Sequence, residues 1–321
     1  MMAECYLYRL PNELLLHILT PIPTPELLPL TVLSHRIYTL ILRILHNRLV
    51  AAAELNSHSL LLECYHPSAK LTEPPYFCAY RGTDGLSYYE NPYEADTYNA
   101  ARLGEMRNMY SRFRPYRREL ESGGRRVRPG DVPGSRTFPG TVQDKHEGET
   151  VRQTISLEAH ELFTQLVAQT NLAKIAARNG MFTSFVEVEE GVLRVWRDWL
   201  SKMAAKSARA SLNPQQKAFE VEGKGKQAVN ETASEKVDPD DERILWLSLD
   251  KNTGIRFNVK ERKFIRDTPI LVGPDEDIPV AYELEYDEVF IRTSYLLLKL
   301  EKSMVQEDNA SKTAVVFGSF G

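Results

Sequence analysis

At 321 residues the chain is long enough for two domains, or for one large domain with a small attachment. Its 42% hydrophobic and 26% charged residues are those of a globular protein, and a formal net charge of -4 argues against a dedicated nucleic-acid binder. Three cysteines (Cys5, Cys64, Cys78) are too few and too unevenly spaced for a disulfide framework or a zinc site, so a reducing compartment, cytoplasmic or nuclear, is expected.

The first element is the apolar stretch RLPNELLLHILTPIPTPELLPL at 9–30, which carries five prolines. It is not a membrane span. From Leu14 to Pro25 there are only twelve uncharged residues, three of them proline, whereas a span needs roughly 20 apolar residues. Glu4 in the n-region, the shortness of LLLHIL and the lack of a small-residue cleavage site also argue against a signal peptide.

Helical periodicity accounts for it better. Leu14, Leu15, Ile18 and Leu19 fall on one face of a first helix that opens at Pro11, where a missing N–H costs nothing, and stops at Pro21 and Pro23. Thr24 is the expected cap of a second helix with Pro25 at its first position and Leu27, Leu28, Leu30, Val32 and Leu33 as its apolar surface. Pro29 removes a backbone hydrogen bond and should bend this helix. A third helix, from about His35 to Ala53, repeats Ile37, Leu40, Ile41, Ile44, Leu45 and Leu49. Three short helices bury only a thin core, so leucines are left over for an interface.

These residues also resemble a known family. LPNELLLHIL, the break at TPIP and then TPELLPLTVLSHRIYTLI follow the F-box pattern without a gap from Leu10 to Ile41. The resemblance implies that Leu10, Pro11, Leu14, Leu15, Ile18, Leu19, Leu27 and Leu30 dock on the SKP-type adaptor of a cullin-RING ubiquitin ligase, and through it on a cullin scaffold. The chain departs from the pattern at Ile37, where the family often has tryptophan, and after Arg48, where a Leu-Trp pair often follows.

Beyond Asn56 the pattern is that of short strands. SLLLECYH (59–66) and YFCAYR (76–81) are expected strands, residues 95–113 a helix, and VRQTISLE (151–158) a strand with Val151, Ile155 and Leu157 on one face. AHELFTQLVAQT is expected to be helical. FVEVEEGVLRVWRDWL (185–200) is expected to form a hairpin turning at Glu190-Gly191, although a helix also fits its apolar spacing. RILWLSLDKNTGIRFNV forms a further hairpin turning at residues 251–254, and KFIRDTPILV, VAYELEY and EVFIRTSYLLLKL complete the strand set. The expected fold is α+β: helical residues 1–55, then a sandwich-like antiparallel domain over 56–305, then a flexible tail over 306–321. Within it, residues 205–240 have hardly any large apolar side chains and are expected to be a disordered insertion. GVLRVWRDWL and RILWLSLDKNTGIRFNV are similar to fungal F-box proteins of the filamentous ascomycetes, whose second domain would hold an unidentified protein substrate.

No catalytic motif, metal-ligand spacing or cofactor signature stands out. His146-Glu147 and His160-Glu161 are isolated pairs without a second histidine at metal spacing. Two charged regions do. Residues 112–136 hold eight arginines against three acids, and Arg112, Arg114, Arg117, Arg118, Arg125 and Arg126 are candidate grips for a phosphorylated or acidic substrate on an expected loop. The run 275–288 holds seven acids and no basic residue, to attract a basic tail or pair with the arginines. Phe113 and Tyr116 are too few aromatic platforms for nucleic acid. Trp196, Trp199 and Trp246 are expected in the core. The functional expectation is a ubiquitin-ligase substrate receptor and not an enzyme. The alternatives are a lectin-like β-sandwich, or an F-box protein acting with the adaptor outside a ligase.

Overall fold

The computed structural model describes residues 9–55, 58–67, 75–86, 101–117, 149–175, 182–212, 237–262 and 279–309. Helix α1 (Asn12–Leu19) is followed by a short α2 (Thr24–Leu27) that tightens into a 3₁₀ segment at Leu28–Val32. Pro29 sits at this change, as its missing N–H requires. Thr24 does not cap α2; its Oγ1 hydrogen-bonds instead to Glu301 Oε1 at 2.5 Å. Helix α3 (His35–Ala53) begins where Ser34 Oγ accepts the Ile37 N–H at 3.2 Å, and it buries Ile37, Leu40, Ile41, Ile44, Leu45 and Leu49.

Strands β1 (His58–Tyr65) and β2 (Tyr76–Thr83), helix α4 (Arg102–Arg107) and strand β3 (Tyr110–Arg117) come next. The helix expected over 95–113 is thus a short turn inside that range, because Tyr110, Phe113 and Tyr116 belong to a strand. Strands β4 (Glu149–Thr150) and β5 (Arg152–Leu157) follow, with Val151, Ile155 and Leu157 buried. The AHELFTQLVAQT segment enters strand β6 (Phe163–Ile175), not a helix, because β1 and β7 pair with it on both sides. Strand β7 (Phe182–Trp196) runs straight through Gly191 where a hairpin turn was expected. Helix α5 (Arg197–Leu212), β8 (Ile244–Trp246), β9 (Thr253–Arg262), β10 (Val280–Arg292) and α6 (Thr293–Asn309) complete the chain. Two expected strands at VAYELEY and EVFIR are therefore one, and SYLLLKL is helix. Leu296, Leu297, Leu300 and Ser303 recur at helical spacing and are buried.

The sandwich expectation gives way to a single antiparallel sheet of ten strands. Eight lie in the order β7-β6-β1-β2-β3-β10-β9-β8, with β4 on β3 and β5 on β10. Strands β3 and β10 pair only from Phe113–Val289 to Tyr110–Arg292; beyond that they part, and β4 and β5 fill the wedge. The sheet curls towards a barrel, in the sense its natural twist allows. Its end strands nearly meet: a Cβ on Gly191 of β7 would lie 2.7 Å from the carbonyl oxygen of Leu247, just past β8. Four register shifts, at Tyr80/Gly82, Thr170/Asn171, Lys174/Ile175 and Tyr286/Glu288, sharpen the curvature.

The concave face carries the core. Leu60, Leu62, Phe113, Phe257, Leu284 and Tyr286 join Leu200 and Met203 of α5, Leu296 and Leu300 of α6, and Leu15, Leu27 and Ile41 of the N-terminal helices in one apolar cluster. Each large side chain fully buried there contributes about 1.5–3 kcal/mol. On the opposite face Leu61, Phe77 and Ala173 form a small cluster, and Tyr110, Ile244 and Phe290 another.

The disordered insertion expected over 205–240 does not take in its two ends. Residues 205–212 continue α5, where Ala, Lys and Arg favour helix, and Ser207 Oγ bonds to Asn258 Oδ1 at 2.5 Å. At the other end Val237 N donates to Asp84 Oδ2 at 2.8 Å. Residues 213–236, the KFIRDTPILV segment and the tail beyond 309 lie outside the described residues.

Candidate functional site

The N-terminal helices divide their leucines between two destinations. On α1, Leu15 and Leu19 are buried, whereas Leu14 and Ile18 are each 49% exposed and one helical turn apart. Leu27 is fully buried, Leu10 and Leu30 are half-buried, and Pro11 is exposed. Of the eight residues assigned to adaptor docking, Pro11, Leu14 and Ile18 therefore face outward, and Leu15, Leu19 and Leu27 hold the helices to the rest of the chain. Leu28, Val32 and Leu33 are also exposed. The signal for them was the 3₁₀ segment that Pro29 imposes, which turns the side chains by a different angle from an α-helix.

Two arginines fix this surface. Arg36 donates from Nε to Asn12 Oδ1 at 2.8 Å and from Nη2 to the Leu10 carbonyl at 2.5 Å, which sets the start of α1 on α3. Arg48 donates from Nη2 to the carbonyls of Thr20 at 2.8 Å and Ile22 at 2.5 Å. Its Nη1 reaches Thr24 Oγ1 at 2.7 Å and Glu301 Oε1 at 3.1 Å. Glu301 also accepts from the Thr24 backbone N–H at 3.2 Å. The turn between α1 and α2 is thereby clipped to α6, which itself packs on α3. His58 Nε2, at the start of β1, lies 3.0 Å from Ser303 Oγ of α6 in a buried contact that extends to Ser184 of β7.

The arginine-rich region divides too. Arg112, Arg114 and Arg117 are on strand β3 rather than on a loop; Arg118, Arg125 and Arg126 lie outside the described residues. Arg112 Nη2 is 3.4 Å from the buried carboxylate of Asp84, and the Arg117 guanidinium lies 5.8 Å from the Tyr76 ring centroid. In the acidic run 275–288, Glu283, Glu285, Asp287 and Glu288 are matched by bases on neighbouring strands, and Asp275, Glu276 and Asp277 lie outside the described residues. Arg256 bonds to Asp287 and Glu288, both at 2.8 Å; Arg152 and Arg262 face Glu283 at 3.7 and 3.6 Å, and Lys260 faces Glu285 at 3.5 Å. Cross-strand pairing within the sheet uses this acidity. Burial still pushes the Glu288 carboxyl above its ordinary range, against the pull of Arg256 and Arg112.

Trp196 departs from the expected core position. It is 46% exposed and lies opposite Phe163, with ring centroids 5.1 Å apart. Arg194, two residues earlier on the same face of β7, places its guanidinium 5.0 Å from the Phe163 centroid and 5.9 Å from that of Trp196. The strand period was the missed signal: Leu193 and Val195 point inward, so Trp196 shares its face with Val192 and Arg194. Trp199 donates from Nε1 to the Glu242 carbonyl at 2.8 Å and Trp246 to that of Pro239 at 3.1 Å.

Nucleophile and metal chemistry has little material among the described residues. Burial pushes the Cys64 thiol up to about 12, with a counteracting hydrogen bond from Tyr286, and raises that of Cys78 as well, so both stay protonated. No group of three or more His, Cys, Asp or Glu side chains among the described residues is placed to hold a metal ion. No helix among them is long and apolar enough to cross a membrane. Comparison with protein-family models, with curated proteins and with solved structures finds no match for the chain.

Proposed function

We propose that the protein is the substrate-recognition subunit of an SKP-cullin-F-box ubiquitin ligase. Pro11, Leu14 and Ile18 of the helical segment meet the SKP-type adaptor and link the chain to a cullin scaffold. The sheet domain holds a target protein near the bound ubiquitin-conjugating enzyme. The mechanism is proximity, so the chain itself needs no nucleophile and no cofactor.

One observation carries this reading. In the segment whose sequence resembles an F-box, the α1 leucines split, so that Leu14 and Ile18 stand side by side on the outside while Leu15 and Leu19 pack inward. An apolar pair left uncovered on a helix that is otherwise firmly clipped in place fits a partner surface. Leu15, Leu19 and Leu27 then support the docking face from beneath instead of contacting the adaptor.

The test replaces Leu14 and Ile18 together by Asp in the full chain. Both side chains are half exposed, so thermal unfolding should stay cooperative, while two charges in a buried apolar contact should abolish capture of the SKP-type adaptor. Capture equal to that of the unmutated chain overturns the reading. Cullin in the same purified complex distinguishes a ligase receptor from an F-box protein that acts with the adaptor alone.

A further inference from the structure

We propose that Phe163, Arg194 and Trp196 form a docking site for an extended peptide that presents a carboxylate beside an apolar side chain. This names a target class for the sheet domain and rests on its reading as the part that holds substrate.

The site begins with register. Phe163 of β6 pairs directly with Trp196 of β7, and the next outward pair is Gln165 with Arg194, followed by Val167 with Val192. Outward residues on paired strands stand beside each other, so the two rings and the guanidinium form one surface. Val192 extends it along β7 and is also exposed. Large aromatic and aliphatic groups gathered in this way on the solvent face of a sheet mark an interaction surface more than a core.

Charge decides what fits there. Arg152, Arg256 and Arg262 on other strands each face a carboxylate. Arg194 meets no hydrogen-bond acceptor and no carboxylate among the described residues; its contacts are the two aromatic rings. Cation–π attraction to the two rings holds the guanidinium near them and leaves its N–H groups for a planar, bidentate acceptor. Glu190, the nearest acid on the outward side of β7, is four residues away, roughly 13 Å along the strand. A carboxylate on the incoming chain answers the guanidinium, and a neighbouring apolar side chain answers Trp196 and Val192. A sugar fits less well, because the ring faces it would stack on are already shared with the guanidinium.

The site is also remote from the point where the chain leaves the helical segment for the sheet. His58 at the start of β1 pairs with Lys174, near the far end of β6, and bonds to Ser303 of α6. From Lys174 to Phe163 the strand covers roughly 36 Å. A target bound at Trp196 sits at the opposite end of β6 from that point.

The experiment pans a random heptapeptide display library on the full chain and, in parallel, on Arg194→Met, Trp196→Ala and the Leu14→Asp/Ile18→Asp double variant. The unmutated chain should enrich peptides with Asp or Glu next to Leu, Ile, Phe or Tyr. A synthetic peptide of the enriched sequence should bind about tenfold more tightly than its Asn or Gln counterpart, and Arg194→Met should remove that difference. Arg194 is exposed and outside the core, so the variant should melt with the parent. Should Trp196→Ala fail to fold, the shift in tryptophan emission on titrating the unmutated chain with the same peptide reports the contact directly. No enrichment, an acidic consensus that survives Arg194→Met, or Arg194-dependent binding of neutral oligosaccharides overturns the proposal. The double variant separates the two ideas: it should lose the adaptor and keep the peptide. Peptide binding without any adaptor capture by the unmutated chain removes the receptor reading alone, and adaptor capture without peptide removes this one.

Discussion

On α1, Leu15 and Leu19 are buried while Leu14 and Ile18 remain 49% exposed; on β10, Val289, Phe290 and Ile291 are three consecutive buried residues that cover both faces. The two regions have similar apolar density and dispose of it differently. A helix at the periphery has a neighbour on one side only, here α3, and one stripe of its surface must stay in water. A central strand has β9 on one side and β3 or β5 on the other, with side-chain clusters above and below, so both parities find cover. The helical segment therefore leaves apolar surface uncovered, whereas the sheet buries most of its own and exposes large apolar groups chiefly at the Phe163–Trp196 end.

The largest test of that contrast compares neighbours on one helix turn. Leu15→Ala should cost about 2–5 kcal/mol, because it opens a cavity in the shared core, whereas Ile18→Ala should stay within about 0.5 kcal/mol. Urea unfolding of both variants would check it, and equal losses would mean that the α1 faces are not divided as described.

A second test strikes the place where the sheet nearly closes. Gly191→Ala puts a methyl 2.7 Å from the Leu247 carbonyl oxygen and 3.2 Å from its Cβ, and the obstacle is backbone. The end strands must move apart, at about 1–3 kcal/mol. Hydrogen exchange should rise at β7 and β8 and stay unchanged on α1 and α3. Gly254→Ala, whose Cβ would meet Trp246 and Ile244 at 2.7 and 2.8 Å, serves as the control for crowding against side chains on the other face.

The junction between the two regions comes next in size. Glu301→Ala leaves Arg48 and Thr24 without their shared acceptor in a partly buried setting, which should cost about 1–2 kcal/mol. Proteolysis within the α1–α2 turn should accelerate before the sheet is affected. If cleavage stays slow, Leu15, Leu19 and Leu27 alone hold the helices down.

The smallest expected effect concerns Glu63 on the outer face of β1. Burial raises its carboxyl above the ordinary range. A raised folded-state value means that its favourable contribution is complete below the unfolded value and is lost as pH rises through the folded one. Glu63→Gln should therefore raise Tm slightly at about pH 7 and leave it unchanged at about pH 4. A gain that persists in acid would show that packing, not charge, limits this position.

Local patterns carried much of this architecture. Prolines at 11, 21, 23 and 29 placed the ends of α1, the entry to α2 and its tightening into a 3₁₀ segment, since a missing N–H acts on its own neighbours whatever else the chain does. The period of α3 and the alternation at Val151, Ile155 and Leu157 were legible for the same reason, and so was the hairpin of β8 and β9, although its turn falls at 247–252 and not at 251–254, because Thr253 and Gly254 already belong to β9. The long strands were not. Phe163–Ile175 carries helical as well as alternating spacing, and only its pairing with β1 and β7 selects strand. The hairpin expected at Glu190-Gly191 failed because Gly191 is needed for close approach to Leu247, more than 50 residues later, not for a turn.

What the sequence by itself determined is the set of elements that depend on neighbours in the chain: three N-terminal helices, strands of alternating burial, and a resemblance written in Leu10 to Ile41. Tertiary structure decided which leucines of those helices face outward, that ten strands make one curled sheet instead of two stacked ones, and that the acids of β10 are matched by Arg152, Arg256, Lys260 and Arg262. It also set Arg194 beside two exposed rings. The reason is range. Periodicity and proline act over a few residues, whereas burial and pairing depend on partners brought together only when β7 meets β6, β10 meets β9, and Glu301 closes on Arg48 across 253 residues of sequence.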